Sequence, residues 1–536
     1  MTMKKNAFTI IFLCFICFLA GCKSADGNSS LKNPDVTIGS VVQIISPKSV
    51  QVEGVGLVGG LNGKGSSECP PEIRQYLSQF ILSELSSEDK ISIDNLINSL
   101  NTAVVLIEGI LPVEDSGNSY FDSKVTAYRG TQTVSLENGW LYRSELKIVG
   151  SFGINTEILA DVEGPVFTDH ISESPIDKRT GYILGGGNIK AKYIIGLVLG
   201  KNDFEATNNI RNRLNFRFGD NIARAARAGM IEVALPAKYR EQRGKFIELL
   251  KATYVYDVPQ NDQERITKHI KQLIENPESD EGEIALEAMG NQCLSQLYSV
   301  LKSPDEHVRL RAARCMLNLR SDEGMNVLKE IVLNKLSPYR VEALRAVTES
   351  GRSLDASTLA LELLKDESFN IRLAAYEQLR KLRDISIAVR PTESASVFFV
   401  EKLTQAGRKE IYVSRSGQPK VVLFGSPIYC NKGFTIQSKN GEVTITAPID
   451  QDYVTVTRKY PNRPDLTGQI RCTNEIDSII HALCDDPPEK GQRTRGGLGV
   501  SYSDLIALLK QMCDKGAINA EFHAGTMPKI DLIVKK

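Results

Sequence analysis

The sequence predicts an α+β multidomain protein: an α/β body, an all-α repeat segment that interrupts it, a β-rich segment, and a C-terminal helix. Three observations predict this. At 536 residues the chain exceeds one ordinary core, and about 150 residues per domain gives three or four units. Short apolar runs separated by Gly-rich turns fill its first half. After a charged stretch the pattern turns helical, with an internal repeat of about 31 residues. The composition is 42% hydrophobic and 24% charged, and 65 basic side chains balance 65 acidic ones. Such a balance argues against nucleic acid as the main partner, since phosphate binding needs a clustered basic excess.

Residues 1–21 read as a signal peptide. Lys4 and Lys5 form a basic start, and Ala7 to Ala20 is apolar over about 14 residues, short of the ~20 that span a hydrocarbon core. Leu19-Ala20-Gly21-Cys22 resembles the lipobox of bacterial lipoproteins. The resemblance implies cleavage before Cys22, lipidation of its thiol, and stable membrane anchoring through several acyl chains. Lys23 implies the outer membrane. The alternative is an ordinary secretory signal with a chance cysteine at its end. Residues 22–36 are small and polar and read as a flexible tether.

Cys14 and Cys17 fall in the signal, which with Cys22 leaves Cys69, Cys293, Cys315, Cys430, Cys472, Cys484 and Cys513. Seven is odd, so at least one thiol stays unpaired or pairs between chains. Cys293 and Cys315 sit on apolar helix faces and read as buried small hydrophobes. Cys472 and Cys484 are the closest pair, either bridged in an oxidising compartment or left as thiols.

Residues 37–258 form the body. Gly54-Val55-Gly56-Leu57-Val58-Gly59 has the spacing of a dinucleotide fingerprint. No helix opens at its third glycine, because Gly60-Leu61-Asn62-Gly63 and a Pro-Pro pair follow. A phosphate loop ending at Gly63-Lys64 fails too, since Val58 and Gly65 stand where Gly and Ser or Thr are needed. No cofactor is expected. Glu53 to Gly65 instead resembles the signature with which flagellar P-ring proteins open. Asn101 to Pro112, Gly117 to Val125 with Phe121-Asp122, and Gly130-Thr131 through Gly139-Trp140-Leu141 resemble further family strands in the family's order.

A β-α-β-α unit closes the body. Tyr193 to Leu199 is an apolar strand, followed by Asn202 as N-cap with Glu205 in a capping box. Ala206, Ile210, Leu214 and Phe218 give the helix one apolar face, and Gly219 ends it. Met230 to Leu235 is the next strand, and Arg240 to Ala252 a helix with Phe246, Leu249 and Leu250 inward. Leu197 to Gly219 resembles a P-ring segment, with Ala206-Thr207 inverted relative to the family pattern.

Residues 259–282 are read as a charged linker and 283–388 as helical repeats. Val308-Arg309, Tyr339-Arg340 and Ile371-Arg372 stand in register, as do Ala312, Ala343 and Ala375. Helix pairs with this core look like HEAT repeats, an insert not typical of the P-ring family, and three copies approach the minimum for a stable stack. The repeated arginines form either an intra-repeat polar ladder or the footprint of an anionic partner. Residues 389–488 read as β-rich, with Val421 to Gly425 a weaker family echo. Within 489–536, Ser501 to Asp504 is a capping box, and Gly499 to Glu521 resembles the closing helix of P-ring proteins.

No catalytic or metal constellation stands out. None of the five His falls in H-E-x-x-H spacing, and no G-x-S-x-G elbow occurs. His481 and Cys484 are a helix-end histidine beside a core cysteine, two ligands short of a tetrahedral site. The chain is therefore expected not to be an enzyme. The family resemblance implies a structural subunit of a homo-oligomeric flagellar P ring around the rod, in the periplasm, with rod and L-ring proteins and peptidoglycan as neighbours. A lipid anchor and a repeat segment with its own protein partner are added here. The alternative is a non-flagellar envelope lipoprotein that uses its HEAT-like stack as a protein-binding adaptor.

Overall fold

The structure, a computed structural model, describes residues 33–46, 50–84, 92–112, 120–150, 157–172, 177–190, 194–394, 397–460, 463–487 and 496–530. Cys22, the signal and most of the tether lie outside the described residues. Among the described residues, no helix is long and apolar enough to cross a membrane.

After a single turn, α1 (Ile38–Val41), and strand β1 (Val42–Ile45), the chain builds a closed six-stranded barrel. Its strands are β2 (Val50–Gly59), β3 (Ala103–Leu111), β4 (Tyr120–Ala127), β5 (Trp140–Ile148), β6 (Ala160–Pro165) and β7 (Thr180–Ile189), in the order β2-β3-β4-β7-β6-β5. Val52, Val105, Ile107, Val125, Leu141, Leu146 and Ile183 fill the interior. Helices α2 (Pro71–Glu84) and α3 (Ile93–Ile97) cover the outside, packing Leu77 and Ile97 with Val55 and Leu57 of β2. The glycine-rich run is thus a strand, and its glycines serve closure. A Cβ at Gly54 would lie 2.3 Å from the Glu145 carbonyl oxygen, and one at Gly56 2.3 Å from Ser144 Oγ. Only glycine lets β5 approach β2 this closely.

Next come β8 (Ile195–Leu199), α4 (Phe204–Phe218), β9 (Ala223–Arg227), β10 (Met230–Val233) and α5 (Arg243–Ala252). The expected β-α-β-α unit has two more strands than the sequence suggested. The sheet runs β1-β8-β10-β9 and is antiparallel throughout, with β1 arriving from before the barrel. β9 was hidden in the basic run Ala223-Arg224-Ala225-Ala226-Arg227, because an edge strand with exposed arginines has no apolar alternation to display.

Residues 259–282 are not a linker. Pro259 opens α6 (Pro259–Glu275), and α7 (Glu281–Met289) follows. Ile266 and Leu273 recur on one face and are buried, while the charges that suggested a linker point mostly outward. Arg265 is an exception. It lies 4.1 Å over the Tyr254 ring and donates to Asp35 at 2.9 Å and to the Pro34 carbonyl, clamping the start of the described chain.

Helices α8 (Leu294–Val300), α9 (Glu306–Asn318), α10 (Met325–Leu333), α11 (Arg340–Glu349), α12 (Ser353–Leu363) and α13 (Phe369–Lys381) pack as successive pairs. Ala312, Ala343 and Ala375, in register by sequence, are all fully buried. Arg309 donates to the Ser303 carbonyl and Arg372 to that of Asp366, each tying down the turn before its own helix, while Arg340 donates to that of Val332 at the end of the preceding helix. That is the polar-ladder role.

The C-terminal part holds two sheets. β11 (Ile387–Pro391), β12 (Phe399–Leu403), β13 (Glu410–Val413), β14 (Lys420–Phe424) and the final strand β19 (Glu521–Ala524) make one, ordered β11-β12-β14-β13-β19. β15 (Phe434–Gln437), β16 (Val443–Ala447), β17 (Tyr453–Tyr460) and β18 (Arg463–Thr473) make the other. The segment read as β-rich also contains α14 (Ile476–Cys484), and α15 (Tyr502–Asp514) and β19 (Glu521–Ala524) end the fold. β19 pairs in parallel with β13, over one hundred residues away in sequence. The helical stack does not stand apart, since one apolar cluster runs from Tyr254 through α13 to Val422 and Phe424. Arg372 completes the join with a bidentate ion pair to Glu410 of β13.

Candidate assembly surface and interdomain cleft

α4 starts one residue later than its expected cap. Asp203, not Asn202, is the N-cap and accepts from the Ala206 N–H at 3.0 Å. Gly219 ends the helix with φ of +120°, as expected. The Asn215 amide, which donates to and accepts from the Ala223 backbone at 3.0 and 2.7 Å, fixes the edge strand to the helix end. Ala206, Ile210 and Leu214 face the sheet, and Phe246 of α5 packs edge-on against Phe218 and stacks with Tyr239.

The outward face of α4 is unusual for a solvated helix. Phe204 is 73% exposed and Phe216 79% exposed, with Glu205, Asn208 and Asn212 between them. Two neighbouring arginines differ in role. Among the described residues, Arg211 reaches only the side chain of Asn212, at 2.8 Å. The Arg213 side chain is 12% exposed and forms a 3.1 Å ion pair with Asp257, which makes it part of the fold. Behind the unit, Lys245 pairs with buried Glu287 at 2.9 Å, and Arg217 donates to the carbonyls of Glu287 and Ala288, so the sheet unit is welded to α7.

A second feature lies where the barrel meets α15. A cleft of about 930 Å³ is lined by Lys64, His170, Lys178, Lys439, Asp504 and Lys515, among others. Beside it, a cavity of about 260 Å³ reaches Asn62, Asn138 and Trp140, the only tryptophan in the chain. The tip of the glycine-rich run therefore borders the cleft. Gly60, Asn62 and Gly63 all have positive φ there, and Asn101 Oδ1 accepts from the Gly63 N–H at 2.8 Å.

His170 latches the two sides of this cleft. It lies 3.3 Å from Asp504 of α15 and 3.5 Å from Glu137 of the barrel side. Hydrogen bonding to Asp504 and then Glu137 raises its pKa to about 9, against opposing desolvation. The hydrogen bond from His170 is the main reason that Glu137 falls to about 2. Ser503 Oγ accepts from the Thr168 N–H, and Asp122 Oδ1 accepts from the N–H groups of Gly185 and Gly417. Burial pushes the Asp122 carboxyl up.

His481 and Cys484 lie in the last turn of α14. His481 sits between Asp477 and Asp485 at 3.6 and 3.1 Å, and burial pushes the Cys484 thiol well up. Of the two alternatives for Cys472 and Cys484, the structure has the unbridged one. Both are free thiols, and the cysteine whose charge bears on Cys472 is Cys430, brought near by the chain's return beside β18. Cys22 lies outside the described residues, and Ser501 caps α15 by accepting from the Asp504 N–H at 3.2 Å.

Comparison with known proteins bears on the barrel and the four-stranded sheet. Residues 37–267 match the family model described as Flagellar P-ring protein. The flagellar P-ring protein of Campylobacter jejuni is 27% identical over 213 residues, which is 38% of this chain and 58% of the relative. That of Fervidobacterium nodosum is 25% identical over 237 residues, or 41% and 67%. Pseudothermotoga lettingae has one that is 23% identical over 235 residues, with the same coverage. The chain thus spans 58% of the length of the Campylobacter relative. The match to the flagellar P-ring model covers the barrel, the β1-β8-β10-β9 unit and the start of α6, and the chain continues into helices and sheets beyond it.

Proposed function

We propose that the protein is a structural subunit of a flagellar basal-body P ring, assembling with copies of itself around the rod in the periplasm, and that it performs no catalysis. The observation that carries this reading is the match over residues 37–267 to a family of P-ring proteins. The ordered motif resemblances, including the C-terminal helix after Ser501, support it. On the same reading Cys22 is lipidated and tethers the ring subunit to the outer membrane, with rod, L-ring proteins and peptidoglycan around it. The helix pairs from α8 to α13 act as HEAT-like repeats, an added rim on the subunit.

Cyclic closure needs a heterologous interface, in which one face meets a different face of the next copy. The outward face of α4 fits one side of that contact, because two exposed phenylalanines flank uncharged Asn208 and Asn212. Large aromatics of this kind anchor interfaces. Phe216→Glu should leave the monomer as stable as wild type within about 0.5 kcal/mol, as surface changes do, yet abolish ring formation and swimming. Arg213→Glu should instead destabilise the unit by breaking its pair with Asp257. Normal rings in cells carrying Phe216→Glu would remove α4 from the contact.

A second reading, in which the helical stack captures an envelope protein, is favoured by the α10–α11 turn. Leu336 there is 93% exposed and Leu333 is exposed beside it, whereas the equivalent turns at Lys302 and Lys365 are polar. Loss of a co-purifying protein in a Leu333→Ser, Leu336→Ser variant that still swims would select this reading.

A further inference from the structure

The parallel register of β19 on β13 sets Glu521 directly beside Glu410, and His523 beside Tyr412. Residues two apart share one face of a strand. Glu521 and His523 therefore project the same way, and Glu410 joins them from the neighbouring strand. One ligand atom from each of the three lies within 4.8 Å of the other two. His523 Nε2 is 3.5 Å from Glu410 Oε1 and 3.7 Å from Glu521 Oε1. That nitrogen is buried and has no hydrogen-bond partner among the described residues.

The surroundings hold this group in place. The Phe369 ring stacks on the imidazole with centroids 3.6 Å apart and an angle of 7°. Arg372 grips the Glu410 carboxylate at both oxygens, with Nε donating to Oε2 at 2.9 Å and Nη2 donating to Oε1. Each carboxylate oxygen has two lone pairs, so this grip leaves Oε1 able to take another partner, and it orients the carboxylate as an outer-shell group orients a metal ligand. Glu521 is 68% exposed and gives the cluster an open side.

We propose that Glu410, Glu521 and His523 bind one divalent first-row transition-metal ion, with solvent completing its coordination, and that the ion clasps the last strand to the sheet. The spacing fits. At a tetrahedral angle, ligand atoms 3.5 and 3.7 Å apart correspond to metal–ligand distances of about 2.1 to 2.3 Å, against ~2.0–2.2 Å for Zn–N and Zn–O bonds. The donor set of one imidazole and two carboxylates suits zinc and its neighbours, whereas calcium and magnesium prefer oxygen alone. The sequence hid this site because Glu410 is remote from the pair on β19, and only the parallel pairing brings them together.

The experiment uses the metal-free full chain, titrated calorimetrically with Zn²⁺ and followed by visible absorption with Co²⁺. The expected result is one equivalent bound and a melting temperature raised by the ion. Glu521→Gln alters an exposed side chain and should keep the fold, while weakening binding about 100-fold or more. His523→Gln should do the same and erase the Co²⁺ spectrum. Absence of saturable binding, or unchanged affinity in both variants, overturns the site. So does a wild-type chain more stable than both variants but indifferent to metal, which would assign the cluster to an imidazolium shared by two carboxylates.

Discussion

Arg372→Met is the most informative single change for the join between the helical stack and the sheets. The Arg372 and Glu410 side chains are 1% and 2% exposed, and the pair is bidentate. Removing the guanidinium leaves a buried carboxylate without its bidentate partner, and breaking such a pair costs about 3–5 kcal/mol. Replacing both partners with apolar groups is often neutral or better, so Arg372→Met with Glu410→Leu should recover most of the loss. The chain has several cores, so a single global unfolding energy is a poor readout, and hydrogen exchange of segments is the better assay. At 1.4 kcal/mol per decade, protection of the α13 amides should fall by roughly 100- to 1000-fold or more in the single variant. The double variant should lie within about tenfold of wild type by the same arithmetic. A single variant with unchanged protection, or a double variant as exposed as the single, would refute the reasoning.

Phe246→Ala should destabilise the β1-β8-β10-β9 unit by about 3–5 kcal/mol, because the ring is fully buried against Phe218 and Tyr239; exchange of β8 and β10 amides checks it. The His170 latch predicts a pH dependence. Since its pKa is raised from 6.5 to about 9, its contribution is complete below 6.5 and lost as pH rises through about 9. Glu137, lowered from 4.5 to about 2, contributes fully above 4.5 and loses this as pH falls toward 2. The difference in melting temperature between wild type and His170→Gln should therefore peak between pH 4.5 and 6.5 and shrink on both sides; a pH-independent difference would contradict the latch.

Much of the local structure was legible because its signals are short-range. The apolar face of α4 with its Gly219 stop and the Ser501 cap each depend on residues within a few positions of one another. The helical character of the segment from α8 to α13 was legible from alanine and arginine spacing. What escaped depends on long-range pairing. β1 joins a sheet whose other strands follow the barrel, and β9 is an arginine-bearing edge that only its sheet makes a strand. α6 was mistaken for a linker because Ile266 and Leu273 carry its apolar signal amid a dense run of charge. The roles of His170 and of Glu410 with His523 were equally invisible, since each joins residues more than thirty positions apart.

The central claim, that the protein builds a flagellar ring, is tested most directly by electron microscopy of basal bodies isolated from a strain in which the gene has been deleted. The account predicts basal bodies without the ring at the level of the P ring, and non-motile cells, both restored by the wild-type gene and not by Phe216→Glu. Intact rings and normal swimming in the deletion strain would contradict it.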